Sequence, residues 1–447
     1  MSKHLIIRSK ILSDKFMVRP IIYEILCVFT MAFYTSMNGQ ETFNSILTIN
    51  IEGALKSMEV NNLSQFASKI RYIPLETKND LVISNIAECI YYENHILIAN
   101  LKECWLFDIN GNLIKKIGDQ GRGPGEYQYV VNIGADSQSK IYIQSLRDLL
   151  EYNPDGVFIK KYNNLFMFHN NFAEYFSKWV IFNDSLLFGH IPNNRGNTIN
   201  KALLINKSGI IKREYKNYDI FKLPNNAVRH STDEEAHIYI YDKLLYYKGP
   251  TNDTLFYLDS FFNLIPKYFF NLGKYKEPHN KRADQFRREV NDPYFSVMHV
   301  FQTHDYLFIE VQLGDHFPAK RLTPIEKKLP GGEVVNIWFN TNRVLGVYNK
   351  NSKKISFCKP TNTDNRLFTT GFFNDIDAGP RFFPKIQIND STMAMWIDAK
   401  SLKEHIASRD FKSSTSKYEN KKKELEEFSK KISEFDNPIL MEVTFKK

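Results

Sequence analysis

The chain has 447 residues, of which 43% are hydrophobic and 14% aromatic, so it can bury a large core. Its net charge is +9, but much of the basic charge is interleaved with acidic residues. No basic stripe alternates with aromatic residues, which argues against nucleic-acid binding. The 35 Phe and 24 Tyr favour strands over helices, because aromatic rings pack well on the pleated face of a sheet.

The first 39 residues have the order of a secretory signal: basic residues, then an apolar run over 20–34, then a small and polar end. We therefore predict that residues 1–39 are a signal peptide or another targeting segment. Met17 as the true start would give a more compact signal of the same kind. The alternative, a retained membrane anchor, is disfavoured by Glu24, because a carboxylate at the centre of a membrane helix costs about 2.5–3.5 kcal/mol.

A short pattern recurs along the chain at a spacing of about 45 residues. Phe107 and Asp108 lead to Gly111 and a second strand-like run, and Tyr152 leads in the same way to Gly156. A strand, a tight Asn/Asp-Gly turn and another strand at this period are typical of a propeller blade.

Five sets of four strand-like runs follow one another, with the lengths and turns of antiparallel strands. The predicted strands are 83–91, 95–100, 104–107 and 112–117 in blade 1; 130–135, 140–145, 148–152 and 157–161 in blade 2; 176–182, 185–191, 201–205 and 210–214 in blade 3; 236–240, 243–247, 254–258 and 264–270 in blade 4; and 297–302, 306–311, 344–348 and 354–357 in blade 5. A polar stretch at 192–199 interrupts blade 3, and a loop rich in Pro and Gly at 312–343 interrupts blade 5.

The sixth blade needs a strand from the other end of the chain. Runs at 382–388, 393–398 and 439–445 supply three strands, and nothing downstream supplies a fourth. The apolar run 69–75 can pair with the C-terminal strand, which would close the ring and cover two exposed edges. We therefore predict an all-β fold over 40–447, a six-bladed β-propeller of four-stranded antiparallel blades closed by its N- and C-terminal strands.

A helical insertion is predicted at 400–436, within the sixth blade. A helix over 416–435 carries apolar residues at spacings of seven, three, four and three, which form one narrow stripe, and a shorter helix is predicted over 402–407. A stripe this narrow is expected to dock on its own domain rather than on a partner.

Several motifs resemble those of a known family. The run from Gly118 to Tyr127 (GxxGxGPGEY), the phrase YIPLE at 72–76 and the phrase NDTLFY at 252–257 are similar to motifs of the six-bladed β-propellers of bacterial envelope proteins, which are related in style to NHL-repeat proteins. The resemblance covers residues 45–447 and implies a secreted or lipid-anchored propeller. It brings no established catalytic residues, and this chain departs from the family in its irregular signal and in lacking a clear lipidation site.

The segment 121–127 should cross one face of the propeller between blades 1 and 2, at the mouth of the central channel. Arg122, Glu126 and Tyr127 would there offer a ligand a cation, a carboxylate and an aromatic platform. The favoured alternative is structural, with Glu126 accepting hydrogen bonds from N–H groups of the loop and Tyr127 packing between blades.

A second polar cluster, Asn374, Asp375, Asp377 and Arg381, lies beside the predicted inner strand of blade 6. It could bind a ligand or Ca²⁺, although Asn and Asp in such loops more often form turns. The loop also lacks the alternating oxygen ligands of a calcium-binding hand.

No catalytic residue, metal site or cofactor is predicted, since the chain contains neither HExxH nor GxSxG. The cysteines Cys89, Cys104 and Cys358 are expected to be buried and unpaired. We therefore predict a monomeric, extracytoplasmic binding protein of the periplasm or cell surface, for a small molecule or glycan fragment or for another envelope protein. It would meet no nucleic acid, and a membrane only through an N-terminal anchor. The alternative is a metal-dependent lyase or hydrolase with a site on the central axis, where residues from several blades could meet.

Overall fold

The computed structural model describes most of the chain beyond residue 45. The described ranges are 46–78, 81–168, 174–222, 236–279, 294–313, 343–359 and 370–446, with the backbone alone at 325–328 and 334–337. The predicted targeting segment at 1–39 therefore lies outside the described residues.

Six antiparallel sheets form a ring and confirm the predicted six-bladed propeller. The first strands of successive blades contact one another, which places them around the central axis. From the axis outward, the strands are Glu88–Tyr92, His95–Ala99, Cys104–Asp108 and Leu113–Lys116 in blade 1; Asn132–Ala135, Ile141–Ser145, Asp148–Tyr152 and Phe158–Tyr162 in blade 2; Lys178–Phe182, Leu186–His190, Asn200–Asn206 and Ile211–Lys216 in blade 3; His237–Tyr241, Leu244–Lys248, Thr254–Leu258 and Leu264–Asn271 in blade 4; and Ser296–Gln302, Tyr306–Gln312, Arg343–Asn349 and Lys354–Cys358 in blade 5.

The inner strands of blades 1 and 6 are shorter than predicted. Blade 1 begins at Glu88 rather than at residue 83, and the inner strand of blade 6 is only Ile386–Gln387. Ile83 and Ile86 are buried in the core. Their segment therefore has the apolar residues typical of a strand, although it does not pair with the rest of the sheet. The N–H of Ile83 instead donates to the side chain of Asn437 at 2.7 Å.

The sixth blade contains both ends of the propeller, as predicted. Its strands are Ile386–Gln387, Thr392–Ile397, Ile439–Phe445 and, outermost, Ala67–Pro74. The last two pair in antiparallel fashion with Ile73 opposite Leu440. Because the outermost strand comes from the beginning of the chain, the ring cannot open without breaking this ladder.

The segment 47–66, which we call the strap, carries no blade repeat and yet adds strands to two further blades. Leu47–Asn50 pairs in parallel with the outer strand of blade 4, and Met58–Glu59 pairs in parallel with the outer strand of blade 5. The short helices Ile51–Ala54 and Leu63–Phe66 carry the chain onward from each of these strands. The strap therefore covers the outer edges of blades 4 and 5 before the chain enters blade 6.

The predicted helical insertion lies between the second and third strands of blade 6. It forms helices Ala399–Ala407, Arg409–Ser413 and Glu419–Lys431, the middle one being absent from the prediction. Buried side chains on all three helices pack together with Ile439, so the insertion docks on its own blade. Of the helices that the structure describes, none is long and apolar enough to cross a membrane.

The insertion in blade 5 is more than the predicted loop. Its backbone contains a two-stranded antiparallel sheet of Ile325–Lys328 and Val334–Ile337.

The polar stretch in blade 3 is a loop closed by hydrogen bonds. The side chain of Asn193 accepts from the N–H of Thr198, and the N–H of Phe221 donates to the carbonyl of Gly196.

The outer turn of blade 1 packs directly against the closing strand. Gly111 has φ of +87°, and a Cβ there would lie 2.3 Å from the carbonyl oxygen of Pro74. Its own carbonyl accepts a hydrogen bond from the N–H of Glu76 at 2.8 Å. Gly209 occupies a similar turn in blade 3 with φ of +80°, but its Cβ would meet nothing closer than a side-chain carbon of Leu165 at 3.4 Å.

These two glycines allow the contact between blades 6 and 1 to be measured. Gly209→Ala should lower the free energy of unfolding by about 1–2 kcal/mol, because only the left-handed backbone is strained. Gly111→Ala should cost roughly 1–3 kcal/mol more, because its Cβ also overlaps the closing strand. Urea unfolding of both variants checks this expectation, and equal losses would show that the turn does not lock the two blades together.

Candidate functional site

Tyr127 is a buried residue at the end of the segment 121–127, which connects blades 1 and 2. Its side chain is buried, and its hydroxyl donates to the carbonyl of Ile117 at 2.9 Å. The same oxygen accepts from the N–H of Cys104 at 3.1 Å. The hydroxyl thereby joins the third strand of blade 1 to the residue that follows its fourth strand.

Glu126 folds back onto its own loop, while Arg122 is exposed. The Oε2 atom of Glu126 accepts from the N–H of Gly123 at 2.7 Å and fills the space beside Gly121, where a Cβ would lie 2.0 Å away. This contact explains why the loop has glycine at 121. Ligand binding by Arg122, Glu126 and Tyr127 stays a prediction.

Asp375 anchors the strap to the loop that leads into blade 6. Its carboxylate accepts from the N–H of Ser64 at 2.8 Å and from the hydroxyl of Ser64 at 2.6 Å, so it caps the helix Leu63–Phe66. The carbonyl of Asp375 also accepts from the N–H of Lys417, which lies between the second and third helices of the insertion. Arg381 donates to the carbonyls of Lys359 and Gly371. These contacts place the second predicted cluster beside the strap.

Asn374 and Asp377 form a buried pair in the same loop. Asn374 Nδ2 donates to Asp377 Oδ1 at 2.6 Å, and the N–H of Gly379 donates to the same oxygen at 2.8 Å. Tyr72, on the closing strand, donates its hydroxyl to that oxygen at 3.3 Å. Burial raises the pKa of Asp377 to about 6, even though these hydrogen bonds act in the opposite direction.

The described part of the chain contains no group of three or more His, Cys, Asp or Glu side chains that could hold a metal ion. Calcium at Asn374, Asp375 and Asp377, and ligand binding at Asn374, Asp375 and Arg381, stay predictions. Cys89, Cys104 and Cys358 are buried and free.

The inner strands of blades 1 to 5 each begin with a polar residue. These residues lie around the axis, on the face of the propeller where the chain crosses from one blade to the next. Blades 1 to 5 start these strands with Glu88, Asn132, Lys178, His237 and Ser296. Lys178 Nζ donates to both carboxylate oxygens of Glu88 at 2.6 Å, so side chains of blades 3 and 1 meet across the channel. The axis is therefore lined with charge at this end.

Two histidines lie in this axial region. The Nδ1 atom of His299 is 2.6 Å from Glu310 Oε2, and Arg343 Nη1 donates to Glu310 Oε1 at 2.8 Å. Glu310 is 5% exposed. Burial alone would raise the pKa of Glu310, but His299 and Arg343 together hold it below its ordinary value.

The second ring, His237, has a defined tautomer. Its Nδ1 accepts from the N–H of Val300 at 3.0 Å, so the neutral ring carries its proton on Nε2. Burial, and then the charges of His299, Lys178 and Lys248, hold the pKa of His237 well below its ordinary value. The ring is therefore neutral at neutral pH.

A cavity of about 430 Å³ lies between blades 6 and 1. Its wall on blade 6 carries a bidentate salt bridge, in which Arg71 Nε and Nη2 donate to the two oxygens of Glu442 at 2.8 and 3.0 Å. The remaining lining residues come from both blades: Lys69, Tyr91, Tyr92, Glu93, Ile109, Ile388, Asn389, Thr392 and Thr444.

Tyr91 lines this cavity, and its hydroxyl oxygen is buried. Among the described residues, no group within hydrogen-bonding geometry meets that oxygen. Burial, and then Cys89 and Glu442, raise the pKa of Tyr91, so the hydroxyl keeps its proton. The carboxylate of Glu442, whose two oxygens accept from Arg71, lies near this hydroxyl.

Comparisons with known proteins find a family model and solved structures that are similar to this chain. A family model described as a domain of unknown function, DUF4934, matches residues 46–444. No curated protein matches the chain. A solved structure described as that of a candidate exported protein from Bacteroides fragilis has 18% identity and a TM-score of 0.62, covering 90% of this chain and 100% of its own. A member of the DUF4221 family from Bacteroides vulgatus has 14% identity and a TM-score of 0.44, covering 65% and 84%.

Asp377→Asn should remove a pH dependence of stability. A folded pKa of about 6, against about 4 in the unfolded chain, means that the folded state binds more protons between these values. The contribution of Asp377 to the free energy of unfolding therefore falls as the pH rises through this window, by about 3 kcal/mol in all. Asn keeps the acceptor oxygen without the charge, so the variant should gain stability relative to the wild type from pH 4 to pH 7.

Urea unfolding at pH 4, 5, 6 and 7 measures this gain. Asp155→Asn, which removes a carboxyl group from an exposed turn, is the matched control for the loss of one negative charge. A curve for Asp377→Asn that runs parallel to that of the wild type would show that this carboxyl does not titrate as described.

Proposed function

The chain belongs to the DUF4934 family. We propose that it acts outside the cytoplasm and binds a neutral oligosaccharide. The proposed binding site is the cavity between blades 6 and 1. Two observations support the location outside the cytoplasm. The first 39 residues have the order of a secretory signal. A protein of the same fold is described as a candidate exported protein.

The charge of the cavity supports a neutral ligand. Lys69 and Arg71 are balanced by Glu93 and Glu442, so the formal charges of the lining cancel. Arg71 and Glu442 neutralise each other through two hydrogen bonds. A charged ligand would compete with Arg71 for Glu442, or with Glu442 for Arg71. The hydroxyl groups of a neutral ligand can donate and accept hydrogen bonds beside this ion pair without displacing either group.

The size and chemistry of the lining support a sugar. The volume falls in the range of small-ligand sites, roughly 300–1,000 Å³. Asn389, Thr392 and Thr444 supply neutral donors and acceptors, and Tyr91 and Tyr92 supply aromatic surface. Sugars present both polar hydroxyls and apolar C–H faces, which such a mixed surface can bind together.

The observation that carries the proposal is the Tyr91 hydroxyl. A buried hydroxyl without a partner costs about 1–3 kcal/mol, and a partner bound in the cavity would remove that cost. A ligand hydroxyl entering the cavity would supply the missing partner.

Tyr91→Phe tests this directly, because it deletes the unpartnered hydroxyl and leaves the ring. With the full chain, binding would be screened on an array of neutral and acidic oligosaccharides and measured by calorimetry. We expect affinity for a neutral oligosaccharide to fall roughly tenfold, the loss of about one hydrogen bond, while stability stays equal or rises.

Tyr152→Phe is the matched control. Its hydroxyl is buried in blade 2 and donates to the carbonyl of Gly125 at 3.0 Å. This variant should lose about 1 kcal/mol of stability and keep its affinity. Preference for acidic sugars, the absence of any oligosaccharide binding, or equal affinity of Tyr91→Phe and the wild type would each contradict the proposal.

A further inference from the structure

The axial histidines form an arrangement separate from the cavity between blades 6 and 1. The His299 ring is 32% exposed, and its Nδ1 is held by Glu310, which is in turn held by Arg343. Among the described residues, no hydrogen bond engages the Nε2 atom of His299 or of His237. One nitrogen of each ring is therefore without a hydrogen bond within the described part of the protein.

The two nitrogens have opposite roles. Because His299 points its Nδ1 at a carboxylate, the proton of the neutral ring lies on Nδ1, and Nε2 carries a free electron pair. Because His237 accepts at Nδ1, its Nε2 carries a proton. A proton acceptor thus stands beside a proton donor, with ring centroids 5.0 Å apart and the planes at 90°.

We propose that His299 is the general base, and His237 the oxyanion donor, of an esterase site on the propeller axis. A base and a donor at this spacing can each reach one oxygen on a single carbon, since each hydrogen bond spans about 2.6–3.2 Å. The substrate class is a small carboxylic ester that can enter the channel mouth.

The reaction is a hydrolysis by water. His299 Nε2 takes a proton from a water molecule, whose oxygen forms a bond to the ester carbonyl carbon. The negative charge that develops on the carbonyl oxygen is stabilised by the N–H of His237 Nε2. The bond from carbon to the alcohol oxygen then breaks, and the proton on His299 passes to that oxygen, which releases the acid and the alcohol.

The charged groups around the rings match these roles. His299 contacts Glu310 and His237, and Arg343 donates to the other carboxylate oxygen of Glu310. Glu310 stabilises the protonated ring that forms during the reaction. Lys178 and Lys248 act on His237 and favour its neutral form. Glu310 does not contact the substrate in this scheme and is a positioning residue for His299.

The first test is hydrolysis of p-nitrophenyl acetate by the full chain. His299→Gln should lower kcat/KM by roughly 100-fold or more, the contribution of a general base, with an unchanged urea midpoint. The matched control is His304→Gln. His304 also pairs its Nδ1 with a carboxylate, that of Asp305, at 2.8 Å, but it is 85% exposed and outside this pair. This control should keep the wild-type rate.

The second test addresses Glu310. Glu310→Gln should lower kcat more than it changes KM, and ¹⁵N NMR of the histidine rings should show the His299 proton moving from Nδ1 to Nε2. The proposal is overturned if the wild type shows no hydrolysis above the uncatalysed rate. It is equally overturned if His299→Gln and His304→Gln have the same effect, or if Glu310→Gln keeps both the tautomer and the rate.

Discussion

The pairing of Ala67–Pro74 with Ile439–Phe445 is the constraint on which the rest of the molecule depends. It joins the two ends of the propeller within one blade, and so holds the inner strands of all six blades around one axis. It also builds the wall of the cavity, because Arg71 comes from the N-terminal strand and Glu442 from the C-terminal strand. Without this ladder neither the cavity nor the axial site would have a fixed geometry.

The strap extends this closure beyond blade 6. By adding parallel strands to blades 4 and 5 it covers outer edges that would otherwise present unpaired N–H and C=O groups. Asp375 fixes the strap where it passes toward the sixth blade, by capping the helix that contains Ser64. Polar residues that a sequence pattern suggests for binding thus have a structural role in the fold, since buried turns need the same oxygen acceptors as ligands do.

The two proposed sites use different properties of a propeller. The cavity lies between adjacent sheets and is neutral, with its one ion pair internally satisfied. The axial site lies where inner strands converge, so residues distant in sequence, such as Lys178 and Glu88, come within bonding distance. Burial keeps His237 neutral, and the contacts with His299 and Arg343 hold Glu310 in a fixed orientation.

The sequence by itself determined the number of blades, nearly all their strands, the closing pair and the place of the helical insertion. Alternating apolar residues and Asn/Asp-Gly turns are local signals, and pairing between neighbours in sequence follows from them. Only the tertiary structure decided the strap, the cavity at Tyr91 and the contact between His237 and His299. Each depends on side chains from different blades, and their distances are set by ring closure, which no spacing along the chain records.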